Sequence, residues 1–304
     1  MDKKGPEFKE ISNLDKIFWR LKVLVFESLG KNWGAIKLSL SSAAQRRNRQ
    51  NFMDILQDNK VINLERDNNF FTAGKLKFYF SPKDKVGDFI VDFISIWGND
   101  ISFIRKNFIK SSAYYFEGPY ENKHVFLESG DQVIDAGANL GLFAILASRK
   151  VGENGRIFAF EPIRETKELL LKNIRYNKKQ NIKLIPQALG EDNFWSNFAI
   201  FDSLGDSSGY FKQASKQEKV EQISLDSFVQ KNEVKRVNFI KADIEGMERD
   251  LLRGAERTIK KFKPKIAICL YHRPDDPRVL ENIIKGFVPD YKIQKTRAKL
   301  FAWV

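Results

Sequence analysis

From Gly130 onward the chain alternates short apolar runs with stretches of helical spacing. Runs of strand length recur at 132–136 (QVIDA), 156–160 (RIFAF), 182–187 (IKLIPQ), 237–243 (VNFIKAD) and 265–271 (KIAICLY). Apolar positions spaced for a helix occupy 140–150, 163–177 and 247–261. Strands that are apolar throughout are buried on both faces, and their alternation with helices predicts a mostly parallel sheet covered on both sides. Residues 190–227 interrupt the rhythm and predict extra, partly antiparallel structure. The tail supplies YKIQK (291–295) and KLFAWV (299–304), a pair suited to an antiparallel edge.

The region before Gly130 is less regular. Residues 14–29 place Leu14, Ile17, Phe18, Leu21, Leu24, Val25 and Leu29 on one face of a helix. Lys and Arg on the other face make peripheral contact with an anionic membrane one reading, and packing on the protein itself the other. KLKFYF (75–80) predicts a strand before the Ser81-Pro82 turn, and VGDFIVDFISIW (86–97) a largely buried segment. HVFLES (124–129) has a helix-like pattern that would carry His124. We therefore divide the chain into an accessory segment, 1–115, mainly helical with a short strand region, and a main α/β domain, 116–304.

Composition narrows the class without changing that division. Residues are 42% hydrophobic and 30% charged, as in globular proteins. The formal charge of +13 would suit a polyanion, but the basic residues are scattered, which fits solvated faces better than a nucleic-acid groove. A single cysteine, Cys269 in the apolar run IAICL, excludes an internal disulfide and any multi-cysteine zinc centre. No apolar segment has the roughly 18–20 residues that span a bilayer, and the polar amino terminus carries no signal peptide, so a cytoplasmic protein is expected.

The chemistry begins where the first regular strand ends. Asp135 is followed by Gly137, Asn139 and Gly141, residues that let the backbone turn sharply beside a ligand. The following helix would aim its free amides at an anionic group of that ligand. The glycines are out of register for a dinucleotide G-x-G-x-x-G loop, which disfavours a nicotinamide-dependent oxidoreductase. An acidic residue directly before the loop would meet an ammonium and repel a pyrophosphate, so the cofactor expected is S-adenosyl-L-methionine. Glu161 ends the second strand, twenty residues after Gly141, where a carboxylate can grip two ribose hydroxyls.

With these features in place, residues 118–272 resemble the FkbM family of methyltransferases. The likeness runs through GPYE, VIDAGANLGLFA, FAFEP, LLLKNIRYN, QALG, SLDSF, FIKADIEGME, LLRGAE and YHRPDD, in that order. It implies a Rossmann-like class I fold with a mostly parallel seven-stranded sheet. It also implies O-methylation of a hydroxyl on a sugar, glycan or natural product. The resemblance carries Asp135, Gly137, Asn139, Gly141 and Glu161 over as cofactor positions, with Ala188 and Leu189 beside the adenine. Residues 1–115 contain no matching motif.

Two residues are the candidates for catalysis. In the fourth strand, alternation would send Lys241, Asp243 and Glu245 to one face, and Asp243 is placed to orient an acceptor hydroxyl or take its proton. Glu248 fits a carboxylate charging the first turn of the next helix. His272, after the fifth strand, is a candidate general base. Asp243, Asp275, Asp276 and His272 could hold a divalent metal, but their spacing forms no metal motif and no metal is assigned. An RNA ribose 2′-O-methyltransferase is the alternative function; no DPPY-like or NPPY-like segment ends the fourth strand, as base amino-group chemistry would need.

Overall fold

In the computed structural model the structure describes residues 56–58, 60–65, 68–82, 86–97, 100–101, 119–200 and 216–304. The amphipathic segment 14–29 lies outside them, and so does the boundary drawn near residue 115.

Seven strands form the central sheet: β4 (Gln132–Ala136), β5 (Arg156–Phe160), β6 (Ile182–Ile185), β10 (Phe239–Ala242), β11 (Lys265–Cys269), β12 (Lys292–Lys295) and β13 (Lys299–Trp303). Their order is β12-β13-β11-β10-β4-β5-β6. The pairs β10–β4, β4–β5, β5–β6 and β10–β11 are parallel, while β13 runs antiparallel to both β11 and β12. This is the class I methyltransferase sheet, with the antiparallel edge that the tail pattern predicts. From β4 the chain winds one way through β5 and β6 and then the other way through β10 and β11. The ligand crevice of such a sheet lies at that switch point, between the tips of β4 and β10.

Strict alternation distributes the side chains. Val133, Ile157, Ala159, Phe239, Ala267, Cys269 and Phe301 enter one apolar core. Their neighbours Ile134, Phe158, Phe160, Ile240, Ile266, Ile268 and Leu300 enter the other. Helices α2 (Leu142–Val151) and α3 (Arg164–Tyr176) cover the first face. On the second lie α4 (Leu225–Lys231), α5 (Glu248–Arg253), α6 (Glu256–Phe262) and α7 (Asp276–Phe287). Segment 247–261, expected as one helix, is two, because the chain breaks at Gly254-Ala255. The Gly254 amide still bonds Asp250 O, while its carbonyl turns away to accept from Asp226 N.

Upstream, a three-stranded antiparallel sheet of β1 (Asn63–Glu65), β2 (Phe70–Ala73) and β3 (Leu76–Tyr79) precedes α1 (Val86–Trp97). Phe89, Ile90, Phe93, Ile94 and Trp97 recur on one face of α1 and join the same core as α2. The indole of Trp97 donates to Leu142 O at 3.2 Å. HVFLES forms no helix: its polar neighbour Asn122 accepts from the amides of His124 and Val125 and holds the segment irregular. His124 instead stacks on Trp303, ring centres 4.3 Å apart. Residues 190–227 contribute β8 (Phe194–Ile200) and β9 (Lys216–Ser224), which pair antiparallel, with β7 (Ala188–Gly190) parallel to β9. Among the described residues no helix is long and apolar enough to cross a membrane.

Asn173, fully buried on α3, fastens the small sheet to the large one. Its side-chain amide donates to Leu140 O at 2.8 Å and to Tyr79 O at 3.1 Å, while its oxygen accepts from Tyr79 N at 2.6 Å. Replacing it would leave three backbone groups without this partner, the Leu140 carbonyl contact buried and the two at Tyr79 part-buried. Asn173→Ala is expected to lower stability by about 2–4 kcal/mol, read from urea unfolding midpoints at unchanged slope.

Candidate functional site

The site is built on the loop after β4. Gly137 has φ +74, and a Cβ there would lie 1.9 Å from the carbonyl oxygen of Asp243, so only glycine lets the tips of β4 and β10 meet. The amides of Gly137 and Ala138 donate to Phe160 O at the end of β5. Asn139 follows with φ +48, and Gly141 precedes α2 with φ +86. No side chain caps the first turn of α2, and no carboxylate stands in it.

Glu161 locks this loop to β5. Its Oε2 accepts from Asn139 N and its Oε1 from Ile163 N, both at 3.0 Å, and little of it is exposed. Burial pushes its carboxyl up to about 7, although the two amide bonds work against that rise. Ala188 and Ile163 share a small apolar group with Met247, so Ala188 stands next to the segment that follows Glu161. The side chain of Leu189 points into the core with Phe160.

Beneath the loop lies a buried ion pair. Asp135 is fully inaccessible, and its carboxylate is 3.1 Å from Lys241 Nζ. The same ammonium donates to Ala136 O at 3.1 Å and Gly137 O at 2.6 Å. Burial alone would lower the Lys241 pKa; Asp135 and Asp243 outweigh it and hold the ammonium charged. Asp135 experiences the converse, its carboxyl raised by burial against the pull of Lys241. Asp135 thus sits under the loop, against a lysine that sequence reading placed only by alternation.

Asp243 follows β10 directly and gathers hydroxyls. Tyr120 OH donates to its Oδ2 at 2.6 Å and Tyr271 OH to its Oδ1 at 3.2 Å. Burial works to raise its carboxyl, but Lys241, His272, the Tyr120 hydroxyl and Lys299 hold it well below the usual carboxylate range. Lys299 Nζ lies 4.4 Å and Lys241 Nζ 5.3 Å from the centre of the Tyr120 ring, so two ammoniums stand within cation–π reach of it.

His272 is buried beside three carboxylates. Its Nδ1 lies 2.9 Å from Glu248 Oε1; its Nε2 lies 3.4 Å from Glu245 Oε2 and 3.7 Å from Asp243 Oδ1. Burial would depress the imidazole pKa, yet Glu248 and Glu245 lift it well above the ordinary value. Glu245 reaches this place differently from the strand alternation expected. β10 ends at Ala242, and a turn with φ +51 at Glu245 and +98 at Gly246 swings the carboxylate back. Glu248 stands in the first turn of α5 as anticipated; beyond that, it accepts from Ile244 N at 3.0 Å and faces His272. Asp275 and Asp276, considered with Asp243 and His272 for a metal, are turned away to Arg249, with Asp276 Oδ1 2.7 Å from its Nε.

The site therefore brings Gly137, Asn139, Gly141 and Glu161 into one hydrogen-bonded loop, and Asp243 and His272 into one cluster. Sequence reasoning placed Glu245 beside Asp243, though by a different route, and missed Tyr120, Tyr271 and Lys299 as members of that cluster. Tyr120 lay within the matched stretch GPYE, and Tyr271 immediately precedes His272; neither has a spacing that marks it.

Comparison with known protein families matches residues 135–291 to the methyltransferase FkbM domain. That match covers just over half of the chain. The chain belongs to the FkbM methyltransferase family. A curated relative, hexuronic acid methyltransferase AglP of Haloferax volcanii, is 26% identical over 158 residues, covering 52% of this chain and 62% of that protein. This chain thus spans less than two thirds of the length of AglP. Methyltransferase 1 of Beauveria bassiana is 23% identical over 192 residues, 55% of this chain and 74% of that protein. Among solved structures, methyltransferase FkbM from Methylobacillus flagellatus KT aligns at TM-score 0.44 with 25% identity, over 59% of this chain and 44% of that one.

The Asp135–Lys241 pair generates a stability test. Lys241→Met would leave Asp135 buried without a counter-charge and cost about 3–5 kcal/mol. Asp135 would then stay protonated when folded and ionise when unfolded, so the deficit grows as pH rises above the ordinary aspartate range. Urea unfolding should show a larger deficit at pH 8 than at pH 5.

Proposed function

We propose that this FkbM-family methyltransferase moves the methyl group of S-adenosyl-L-methionine to a hydroxyl oxygen of a sugar or glycan. The observation that carries the reading is the Asp243 carboxyl group, held by two tyrosine hydroxyls, at the tip of β10 beside the glycine loop. The relative from Haloferax volcanii, named for hexuronic acid methylation, supports a sugar acceptor.

In this reading Glu161 accepts the ribose hydroxyls, and its bonds to Asn139 N and Ile163 N fix the direction of its remaining lone pairs. Gly137 gives the cofactor close access to the backbone, and the uncapped amides of α2 meet its carboxylate. Asp135 acts from below, through Lys241, by holding the carbonyls of Ala136 and Gly137. Ala188 and Leu189 border the adenine.

Asp243 accepts a hydrogen bond from the acceptor hydroxyl and so aims an oxygen lone pair at the methyl carbon. Bond formation makes that oxygen strongly acidic, so its proton can pass to a carboxylate of low basicity as the carbon–sulfur bond breaks. The neutral thioether product leaves as S-adenosylhomocysteine. Alignment of oxygen, carbon and sulfur supplies most of the acceleration. His272, its imidazolium favoured by Glu248 and Glu245, serves as a positive partner to the carboxylates and not as a resting base.

The assay incubates the protein with methyl-labelled cofactor and a cell extract, then identifies the labelled product. A labelled sugar ether is expected; label on protein nitrogen or a nucleobase would overturn the oxygen acceptor. Asp243→Asn and His272→Ala should keep S-adenosylhomocysteine affinity within about threefold while turnover falls about 10²–10⁴-fold.

Glu161 predicts a pH dependence of cofactor affinity. Only its ionised form accepts two ribose hydroxyls, and with its carboxyl raised to about 7 it is mostly protonated at pH 6. Calorimetric affinity for S-adenosylhomocysteine should rise about tenfold from pH 6 to pH 8. Glu161→Gln should bind more weakly than the wild type at pH 8 and show a flat profile.

A further inference from the structure

We propose that Asp243, Glu245 and His272 together form a binding site for one divalent cation of the manganese or magnesium type. One oxygen of each carboxylate and one ring nitrogen lie within 4.8 Å of one another. Ligands at bonds of about 2.1 Å stand roughly 3 Å apart when adjacent around an octahedral ion and roughly 4.2 Å when opposite. The separations of 3.4 Å and 3.7 Å from His272 Nε2 need only a small contraction.

The histidine itself is the second observation. Its side chain is 4% exposed, and Nε2 makes no hydrogen bond although it is aimed between two carboxylates. Its opposite nitrogen faces Glu248, which is 1% exposed and held in place by Ile244 N. A buried carboxylate behind a histidine, with the far nitrogen turned toward further oxygen ligands, is the arrangement that orients imidazole toward a metal. On binding, the ion would displace the proton that Glu248 and Glu245 hold on His272; the freed ring nitrogen and two carboxylate oxygens suit a borderline-hard divalent ion.

Asp243 and Glu245 keep about one fifth of their side chains exposed, so the cluster opens outward while His272 closes it from behind. Sequence spacing concealed the set, because Glu245 enters through its left-handed turn and not through a metal motif. For what the ion would do, the inference rests on the methyltransferase reading: the cation would draw the acceptor oxygen toward Asp243. Whether the ion binds is independent of that reading.

The test titrates Mn²⁺ into the full-length protein and follows free ion by electron paramagnetic resonance. One tightly held ion per chain is expected, with pulsed spectra showing coupling to an imidazole nitrogen. Glu245→Gln and His272→Ala should each weaken binding at least tenfold, while Glu256→Gln, on the exposed outer face of α6, leaves it unchanged. The nitrogen coupling is read from the wild type, so it stands even where a variant fails to fold. No bound ion, no nitrogen coupling, or unaltered binding in both variants would overturn the site. S-adenosylhomocysteine affinity measured on the same samples separates the two ideas: its absence counts against the methyltransferase reading alone.

Discussion

The Lys241 ammonium is the constraint around which this protein is organised. It is buried under the loop after β4, where it meets the Asp135 carboxylate and two backbone carbonyls of that loop. A charge in such a place is costly unless an opposite charge stands close to it. Matching it requires β4 and β10 to be adjacent and parallel with Lys241 level with Asp135, which is the register observed. The ion pair thus specifies an alignment of strands that apolar packing alone would leave free to slip. It also brings the tips of the two strands so close that residue 137 has no room for a side chain.

From that anchor the charges alternate outward. Lys241 and Lys299 flank the Tyr120 ring, Tyr120 donates to Asp243, and Asp243 faces His272. Beyond them stand Glu245 and Glu248. Asp243 and His272 are each held charged by their neighbours, and the sequence of partners ends on Glu245, partly open to solvent, and on the buried Glu248. Members come from β10, β13, α5, the segment before β4 and the turns after β10 and β11. A site assembled from so many elements has little rigidity of its own and borrows it from the sheet.

Much of this was legible in the sequence. The five parallel strands and the antiparallel edge were visible because buried strands are apolar on both faces, and the tail had the right spacing. The places of Asp135, Gly137, Gly141 and Glu161 at the strand-to-helix turns were legible because a switch point imposes its own residue types, but the burial of Asp135 beneath the loop, against Lys241, was not. The misplacements share a cause. HVFLES has helical spacing, but Asn122 captures its first amides and the segment never begins a helix. The break at Gly254 divides a stretch whose apolar periodicity continues across it. Glu245 was expected on the face of Asp243 but by strand alternation and not by a left-handed turn, while Tyr120, Tyr271 and Lys299 were hidden because they converge through tertiary folding. No local pattern distinguishes a tyrosine that will face a carboxylate more than a hundred positions away.

The arrangement around Asn173 bears on how the chain can be divided. Residues matched to the family begin at 135, which invites cutting the polypeptide just before the main sheet. Yet Phe143, Leu146 and Val151 of α2 share one core with Phe89, Phe93 and Trp97 of α1, and the Leu140 carbonyl depends on an amide that is also bound to β3. Excising the upstream portion would leave an oily face on α2 and α3 open to water. In evolutionary terms, the family's minimal unit and this protein's cooperative folding unit have different borders, and a fusion or shuffling event that respected only the first would inherit a sticky surface.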